Sequence, residues 1–276
     1  MFELPEITIL TRQINATLPG KAVAQGRLGN SPHKFVWYNR TPDEFAALTA
    51  GKVAGTATGR GRWLFLPLEP GYVLVLGECG GKLRYHAPGA ALPPKYHLLL
   101  TFADGSSLSL MTQMWGAMEL YVQGEEQQRA YIRDMRPTPV DAAFTFACFS
   151  ALIDEVAQGE TRGVKGLLTQ DQLIPGLGNA IAQEILFRAR LHPRHPVTAL
   201  APAQRQALYA AIRATVADVI AQGGRNDETD LFGRPGGDVR IMAKHAVGQP
   251  CPVCGALVEK IQYLGGACYF CPQCQQ

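Results

Sequence analysis

The chain has 276 residues, of which 47% are hydrophobic and 18% are charged, and its formal net charge is +3. This composition is typical of a folded globular protein and excludes a largely disordered one. The length favours two compact units with a small appendage, and the mildly basic charge permits nucleic-acid binding without predicting it.

Hydropathy and cysteine usage indicate the compartment. The sequence contains no run of eighteen apolar residues, and its first ten residues, MFELPEITIL, lack the basic segment of a secretion signal. Four of the seven cysteines fall into two close pairs. This pattern suits metal-bound thiolates in a reducing compartment better than a disulfide framework. We therefore expect a cytoplasmic protein without membrane segments.

An amphipathic helix is predicted at the start of the chain. Apolar residues recur there every three or four positions, the period of one helix face, at Ile7, Leu10, Ile14 and Leu18. Pro5 fits the first turn, where a missing N–H removes no hydrogen bond, and Gly20 supplies the end.

A β-rich region follows, from about residue 52 to residue 122. Short apolar runs predict strands at residues 63–66, 72–76, 97–102 and 108–111. Asp104 and Gly105, between the last two runs, form a hairpin signal. We therefore predict an α+β fold that begins with a domain over residues 1–122, built from the first helix and a β-sandwich.

The second half of the chain reads as helical. A polar segment containing Pro137 and Pro139 makes residues 123–140 the predicted linker. A helical domain is predicted over residues 141–224, with its first helix capped by Asp141 and ended by Gly159. Its other helices are expected near residues 164–172, 180–188 and 202–222. Residues 225–276 are predicted to form a loop and a metal-binding finger.

Two cysteine pairs near the C-terminus have the spacing of a structural zinc ribbon. The C-x2-C pairs frame a sixteen-residue, hairpin-like stretch, and their members are Cys251, Cys254, Cys271 and Cys274. Four thiolates fill a tetrahedral site and leave no open position, so we expect one structural Zn²⁺ that takes no part in chemistry. Buried free thiols or an iron–sulfur cluster are the alternatives.

Other notable side chains are assigned to structural roles. Trp37 and Trp63 are expected in the core. Three cysteines lack partners at ligand spacing and are expected to be core or incidental residues: Cys79, Cys148 and Cys268.

Three segments, in this order, resemble the formamidopyrimidine-DNA glycosylase and endonuclease VIII family. They are the N-terminal ELPE at residues 3–6, the PGLGN at residues 175–179 with LHP at 191–193, and the four-cysteine finger. The resemblance spans nearly the whole chain. It implies an N-terminal helix with a β-sandwich, a helix-two-turn-helix domain and a zinc finger, with damaged DNA in the cleft between them.

The resemblance also implies the chemistry. Family enzymes use the amine of the mature first residue, a proline exposed by methionine removal, to form a Schiff base with the sugar of the damaged nucleotide. An N-terminal amine suits this role because part of it is unprotonated at neutral pH. The catalytic candidates are accordingly Met1, Phe2, Glu3 as proton carrier and Glu6 as an orienting charge. Alternatively, both glutamates merely complement the helix dipole.

DNA contacts follow from the same resemblance. Gly178 and Asn179 would present a helix start to a phosphate, Lys165 would be a second phosphate contact, and Trp115 would fill the space left by the extruded base. Alternatively, the glycine turn is an ordinary turn and Lys165 a solvated lysine. Residues 226–237 resemble the family's lesion-sensing loop, although a plain solvated loop fits equally well.

Departures from the family pattern are concentrated where lesion chemistry occurs. Phe2 stands at the proline position, and a bulky second residue should prevent removal of Met1. Arg62 stands at a lysine position and keeps a phosphate contact available. Glu78 and Gln113 replace the void-filling methionine and arginine, and Gly266 replaces a phosphate-gripping arginine.

The favoured hypothesis is a monomeric, nucleoid-associated DNA base-excision repair protein that binds damaged DNA and has glycosylase and apurinic/apyrimidinic lyase activity. A non-catalytic protein that binds DNA lesions or structures on the same scaffold is the second hypothesis, favoured by Phe2, Glu78 and Gly266. A zinc-ribbon module for RNA or a protein partner is the third.

Overall fold

The structure is a computed structural model that describes residues 1–31, 34–159 and 162–276. Its contacts divide the chain into two units, Met1–Met135 with Gln222–Gly237, and Arg136–Ala221 with Asp238–Gln276. Each unit is therefore assembled from two separate stretches of sequence. None of the described helices combines the length and the apolar character that crossing a bilayer requires.

Among its described residues, the first unit contains two β-sheets and three α-helices. The helices are α1 (Leu4–Thr17), α2 (Pro42–Thr49) and α3 (Ala130–Arg133). The strands are β1 (Val23–Leu28), β2 (Val36–Tyr38), β3 (Val53–Ala54), β4 (Thr58–Arg60), β5 (Trp63–Glu69), β6 (Tyr72–Gly77), β7 (Gly81–His86), β8 (Leu98–Phe102), β9 (Ser107–Thr112) and β10 (Gly116–Val122). One sheet has the order β1-β8-β9-β7, and the other has β2-β10-β6-β5-β3 with β4 also pairing β5.

Helix α1 confirms the first predicted element. The Glu3 side chain accepts a hydrogen bond from the Glu6 N–H, and the Glu6 carboxylate accepts one from the Glu3 N–H, so the helix start is capped from both sides. Ile7, Leu10 and Ile14 are buried and join a core cluster with side chains of both sheets. Burial of such side chains stabilises the fold by about 1.5–3 kcal/mol each.

The four predicted strands and their hairpin are present. Strands β8 and β9 pair antiparallel, with Leu100 opposite Leu108, and Gly105 in the connecting turn has a φ of +83°. The prediction that Trp37 lies in the core is wrong, because its side chain is 47% exposed. Strand β2 lies at the edge of its sheet, and Val36 and Tyr38 alternate with Trp37 so that they are partly buried instead.

The contact division departs from the predicted domain boundaries of 122, 140 and 224. Residues 125–133, inside the predicted linker 123–140, form a 3-10 turn (Glu125–Gln128) followed by α3. Ile132 of α3 is fully buried beside Trp63 and Val75. Polarity and prolines indicated a linker, but burial of Ile132 docks this segment on the sheet.

The second unit contains four helices and a β-hairpin among its described residues. They are α4 (Phe146–Gln158), α5 (Val164–Thr169), α6 (Asn179–Arg188), α7 (Pro202–Ala221), β11 (Glu259–Tyr263) and β12 (Gly266–Phe270). The Thr145 hydroxyl caps α4 by accepting from the Cys148 N–H. Asp141 was predicted as that cap and instead accepts from the Thr138 N–H at 2.7 Å, which closes the turn before the helix.

Candidate functional site

The N-terminal amine lies beside a carboxylate in the first unit. The Met1 nitrogen is 3.2 Å from Glu228 Oε1, and the Met1 carbonyl accepts a hydrogen bond of 3.0 Å from Arg225 Nη2. Phe2 follows with its N–H donated to the Cys79 carbonyl at 2.9 Å and its side chain only 2% exposed. The free amine and the buried side chain therefore belong to two different residues.

Gly80 allows Met1 to lie against the backbone of the sheet. A Cβ atom at this position would be 2.2 Å from Met1 Cα and 2.5 Å from the Met1 nitrogen. Such distances are far below van der Waals contact, so any larger residue would displace the N-terminus.

Arg225 holds this site together. Its guanidinium contacts both carboxylate oxygens of Glu6, at 3.1 Å and 3.0 Å, and lies 3.7 Å from Glu3 Oε1 and 3.5 Å from Glu228 Oε1. Burial lowers the pKa of Arg225, but Glu3 and Glu6 outweigh burial and raise it above its ordinary value. The group is thus a permanent buried cation that compensates several acids.

Sequence reasoning singled out Glu3 and Glu6, which the structure joins to Arg225, and it missed Arg225 and Glu228. These two residues are more than 200 positions away in a segment whose composition reads as a loop. One signal was available, because carboxylates that become buried call for a compensating cation.

The carboxyl of Glu228 and the thiol of Cys79 show how burial tunes the groups around the amine. Burial raises the pKa of Glu228, while the amine and Arg225 act in the opposite direction and do not cancel the rise. Burial also raises the pKa of the Cys79 thiol to about 12, so this neighbour of Phe2 stays protonated and is not a nucleophile at neutral pH.

Arg62 and Glu78 form an ion pair next to Met1. Arg62 Nη1 is 3.0 Å from Glu78 Oε2 and 3.5 Å from Met1 Sδ. Glu78 has a φ of +52°, a backbone conformation uncommon for residues other than glycine. The carboxylate of Glu78 is therefore compensated by the guanidinium of Arg62.

Trp115, in the loop that follows strand β9, forms a cluster with two other aromatic side chains. Trp115 is 39% exposed, stacks on Trp37 with ring centroids 5.4 Å apart, and contacts Phe35 at 4.6 Å. Gln113, also exposed, donates its backbone N–H to the Gly80 carbonyl at 2.7 Å. The loop that carries the predicted base-filling residues is thus fastened to the glycine that contacts Met1.

The phosphate-contact candidates come together in the second unit. Gly178 precedes α6, and Asn179 begins it and donates from Nδ2 to the Ala267 carbonyl at 3.3 Å. Lys165 is only 1% exposed and donates from Nζ to the Tyr263 carbonyl at 2.7 Å. Among the described residues no ion pair compensates its charge. Such a buried cation favours an anion within reach of the site.

Gly266, in the hairpin, lies near Asn179. A Cβ atom at this position would be 3.4 Å from Asn179 Oδ1, an ordinary van der Waals distance. The glycine at position 266 therefore has no steric explanation in the structure.

The four predicted zinc ligands converge at one point of the second unit. The sulfur atoms of Cys251, Cys254, Cys271 and Cys274 lie within 4.8 Å of one another. The Cys274 N–H points to Cys271 Sγ at 3.3 Å, a contact that stabilises a thiolate. The donor set therefore fits a tetrahedral metal ion, and Cys251 and Cys271 also pack in a small core with Phe187 and Val258.

Comparison with known families gives two matches along the chain. Residues 1–116 match the formamidopyrimidine-DNA glycosylase N-terminal domain, and residues 135–230 match the formamidopyrimidine-DNA glycosylase H2TH domain. The formamidopyrimidine-DNA glycosylase of Chloroflexus aggregans is 31% identical over 280 residues, which cover all of this chain and 98% of that protein.

The chain is also similar to solved structures over almost its whole length. The chain is similar to the MutM (Fpg) protein from Thermus thermophilus, with 27% identity, a TM-score of 0.82, and coverage of 99% of this chain and 98% of that one. It is also similar in fold to Lactococcus lactis Fpg, solved in complex with DNA containing an abasic site, with 24% identity, a TM-score of 0.84 and 99% coverage of both chains.

Proposed function

The chain belongs to the formamidopyrimidine-DNA glycosylase family, and from this premise we propose that it is a DNA repair glycosylase with abasic-site lyase activity that uses the Met1 amine. The damaged DNA that it binds would be cut in two steps, removal of the base and then cleavage of the strand.

The observation that carries the proposal is the N-terminal amine held at Glu228 while Phe2 is buried. A nucleophilic amine needs to be partly exposed and close to a group that moves protons. The Met1 side chain is 30% exposed, whereas Phe2 is fixed by the core and by its bond to Cys79. The nucleophile is therefore assigned to Met1 instead of the second residue.

The proposed chemistry proceeds through a Schiff base. The amine attacks C1′ of the damaged nucleotide, and the base leaves with the electrons of its bond to C1′. One N–H proton then passes to O4′ as the C1′–O4′ bond opens, which leaves a protonated imine that acidifies the C2′ hydrogen. Loss of that proton expels the 3′ phosphate and breaks the strand.

Backbone binding is assigned to Lys165 and Asn179 in the second unit. The start of α6 is the positive end of the helix dipole, which favours an anion. Lys165 adds a positive charge held by the Tyr263 carbonyl. These contacts would position DNA without reading its sequence. Gly178 belongs to this set as the residue that directly precedes α6.

Zinc is the metal proposed for the four-cysteine site. Four thiolates at C-x2-C spacing and within 4.8 Å favour a structural Zn²⁺, which would supply folding energy and hold the β11–β12 hairpin.

Borohydride trapping on an abasic-site duplex tests the proposal, because reduction of a Schiff base makes a stable protein–DNA adduct. We expect an adduct that peptide mass spectrometry assigns to the amine of an intact Met1. Protein with an acetylated N-terminus is the control and should give none. Adduct on a lysine side chain, or saturable binding with neither adduct nor cleavage, would overturn the assignment.

Binding of an undamaged duplex tests the phosphate site separately. Lys165→Met should weaken binding for all sequences and lower the slope of log affinity against log salt by about 1, because one phosphate contact is lost. Lys52→Met is a matched control, since Lys52 Nζ also donates to a carbonyl, that of Pro70, and also lies over a tyrosine ring. If the salt dependence of affinity has the same slope for both variants, Lys165 does not contact a DNA phosphate.

A non-catalytic lesion-binding protein is the second candidate function. Two features favour this second function, the glycine at position 266 and the ion pair between Glu78 and Arg62. Both change groups that face the lesion in family enzymes. Trapping discriminates between the two functions, since a pure binding protein forms no adduct.

A further inference from the structure

The amine of a retained Met1 lies one residue further out than the family's catalytic amine. Phe2 fills the core position beside Leu10, Leu64 and Leu83, and its own nitrogen is an internal amide. The chemistry therefore needs a proton-carrying group at the new place of the amine.

Glu3, the expected proton carrier, takes part in structural contacts instead. Its carboxylate accepts from the Glu6 N–H at the start of α1 and lies 3.7 Å from Arg225 Nη1. These contacts engage the carboxylate of Glu3 at the helix start and at Arg225.

Glu228 meets the requirements instead. Its Oε1 atom is 3.2 Å from the Met1 nitrogen, and its side chain is 14% exposed. Arg225 Nη2 lies 3.5 Å from the same oxygen atom and helps to hold the carboxylate in place. The charged groups that face it are the Met1 amine, Arg225 and Glu6, and their combined effect with burial leaves the pKa of Glu228 raised.

The segment that carries Glu228 is held in place from several directions. Glu228 N–H donates to the Arg225 carbonyl, Thr229 pairs with Pro235, and Thr229 Oγ1 accepts from Arg84 Nη2 at 2.8 Å. The carboxylate is therefore presented by an ordered loop, which general acid–base catalysis requires.

We propose that Glu228 is the catalytic carboxylate that takes a proton from the Met1 ammonium and returns it to the leaving group. This inference rests on the proposed function. On an abasic site, Glu228 removes one proton from the ammonium, and the amine nitrogen then forms a bond to the C1′ aldehyde carbon. A second N–H proton moves to the aldehyde oxygen. Glu228 returns its proton to that hydroxyl, which leaves as water when the C1′–O bond breaks, and the protonated imine remains.

Single-turnover borohydride trapping across pH tests this assignment. Glu228→Gln should slow adduct formation by about 100-fold, because a positioned acid–base group contributes about that much or more, and should flatten the acidic limb of the pH–rate profile. Glu228→Asp retains the charge but withdraws the carboxylate by one methylene. It should give an intermediate rate of adduct formation and keep the acidic limb of the pH–rate profile. Glu125→Gln, at an exposed position of the first unit, is the control and should match the unmodified protein.

The outcomes separate this inference from the proposed function. Adduct at Met1 in the unmodified protein with an unchanged rate and pH profile in Glu228→Gln would overturn the role of Glu228 alone. An unmodified protein that forms no adduct overturns both. If Glu228→Gln does not fold, Glu228→Asp decides, since a rate equal to that of the unmodified protein would contradict the assignment.

Discussion

Phe2 determines where the free amine of this protein lies. Proline at this position would expose its own nitrogen after methionine removal, whereas phenylalanine buries its ring and uses its N–H in a bond to Cys79. A buried phenylalanine contributes about 1.5–3 kcal/mol of hydrophobic free energy, so exposure of Phe2 to act as the terminal residue would be costly.

Gly80→Ala should impair the chemistry while leaving the fold intact. A Cβ atom 2.2 Å from Met1 Cα has to push the N-terminus away from the sheet. Displacement of a reacting group by about 1 Å can cost about 100-fold in rate, so we expect trapping to slow by that order. Single-turnover trapping rates measure the effect.

Gly159→Ala is the control for that substitution. The nearest atom to a Cβ at Gly159 is the Val156 carbonyl oxygen at 3.8 Å, an ordinary contact, so the trapping rate should be unchanged. A Gly80→Ala protein that traps as fast as this control would show that Met1 is not confined as described.

At the level of residues, sequence reasoning identified groups that belong to local patterns. The four cysteines follow a short motif and converge as it predicts, while Glu3, Glu6 and Asn179 lie at the starts of α1 and α6. Arg225 and Glu228 could not be identified, because their role depends on the return of a distant segment to the N-terminus. Trp37 could not be placed either, since the side of an edge strand that faces the core is set by pairing.

Among the elements, α6 carries a buried acid whose charge should influence stability. Glu184 is 6% exposed and accepts from the Met242 N–H at 2.6 Å. Burial raises its pKa above the ordinary value. A carboxyl with a raised pKa in the folded state contributes stability below its unfolded pKa and loses that contribution as pH rises through the folded pKa.

Glu184→Gln should therefore become more stable relative to the unmodified protein as pH rises from 5 to 8. The amide keeps an acceptor for the Met242 N–H and never ionises, so the gain should be on the order of 1 kcal/mol. Free energies of unfolding from denaturant titrations at each pH give the difference.

The control for this element is Glu155→Gln on α4. Arg136 lowers the pKa of Glu155, so its stabilising effect exists at high pH and is lost at low pH. The variant should lose a little stability at pH 8, and only a little because the pair is exposed. If the free energy of unfolding relative to the unmodified protein changed with pH in the same direction for both variants, the assigned role of Glu184 would be contradicted.

Periodic elements were predicted well, and short ones were not. Helix α1 and the β8–β9 hairpin carry strong patterns over many residues. Strand β2 has three residues and β3 has two, which is too short for a recognisable alternation. Helix α3 was missed because its packing depends mainly on Ile132, within a polar segment.

On the scale of the molecule, the metal site should control the stability of the second unit. Cys254→Ser should reduce zinc content from about one ion per chain to near zero and lower the free energy of unfolding, because a structural zinc site contributes on the order of 10 kcal/mol to folding. Elemental analysis and denaturant titration measure the two effects. Cys148→Ser, at a cysteine outside the cluster, should keep its zinc.

The two-unit organisation was only partly predictable from sequence. A domain assignment based on linkers assumes that each unit is one continuous stretch. Here Gln222–Gly237 rejoins the first unit, and Asp238–Gln276 joins the helices of the second. Composition gives no sign of this return, because the contacts of Arg225 with Glu6 are formed between residues 219 positions apart.

That separation has a consequence during synthesis of the chain on the ribosome. Glu3 and Glu6 emerge first, but the arginine that neutralises them is translated only after the helices of the second unit. A nascent polypeptide that stops before residue 222 would contain the amine without the guanidinium and carboxylate that orient it. Unfinished chains would accordingly lack a formed reactive centre, and competence to cut DNA would arise only late in translation.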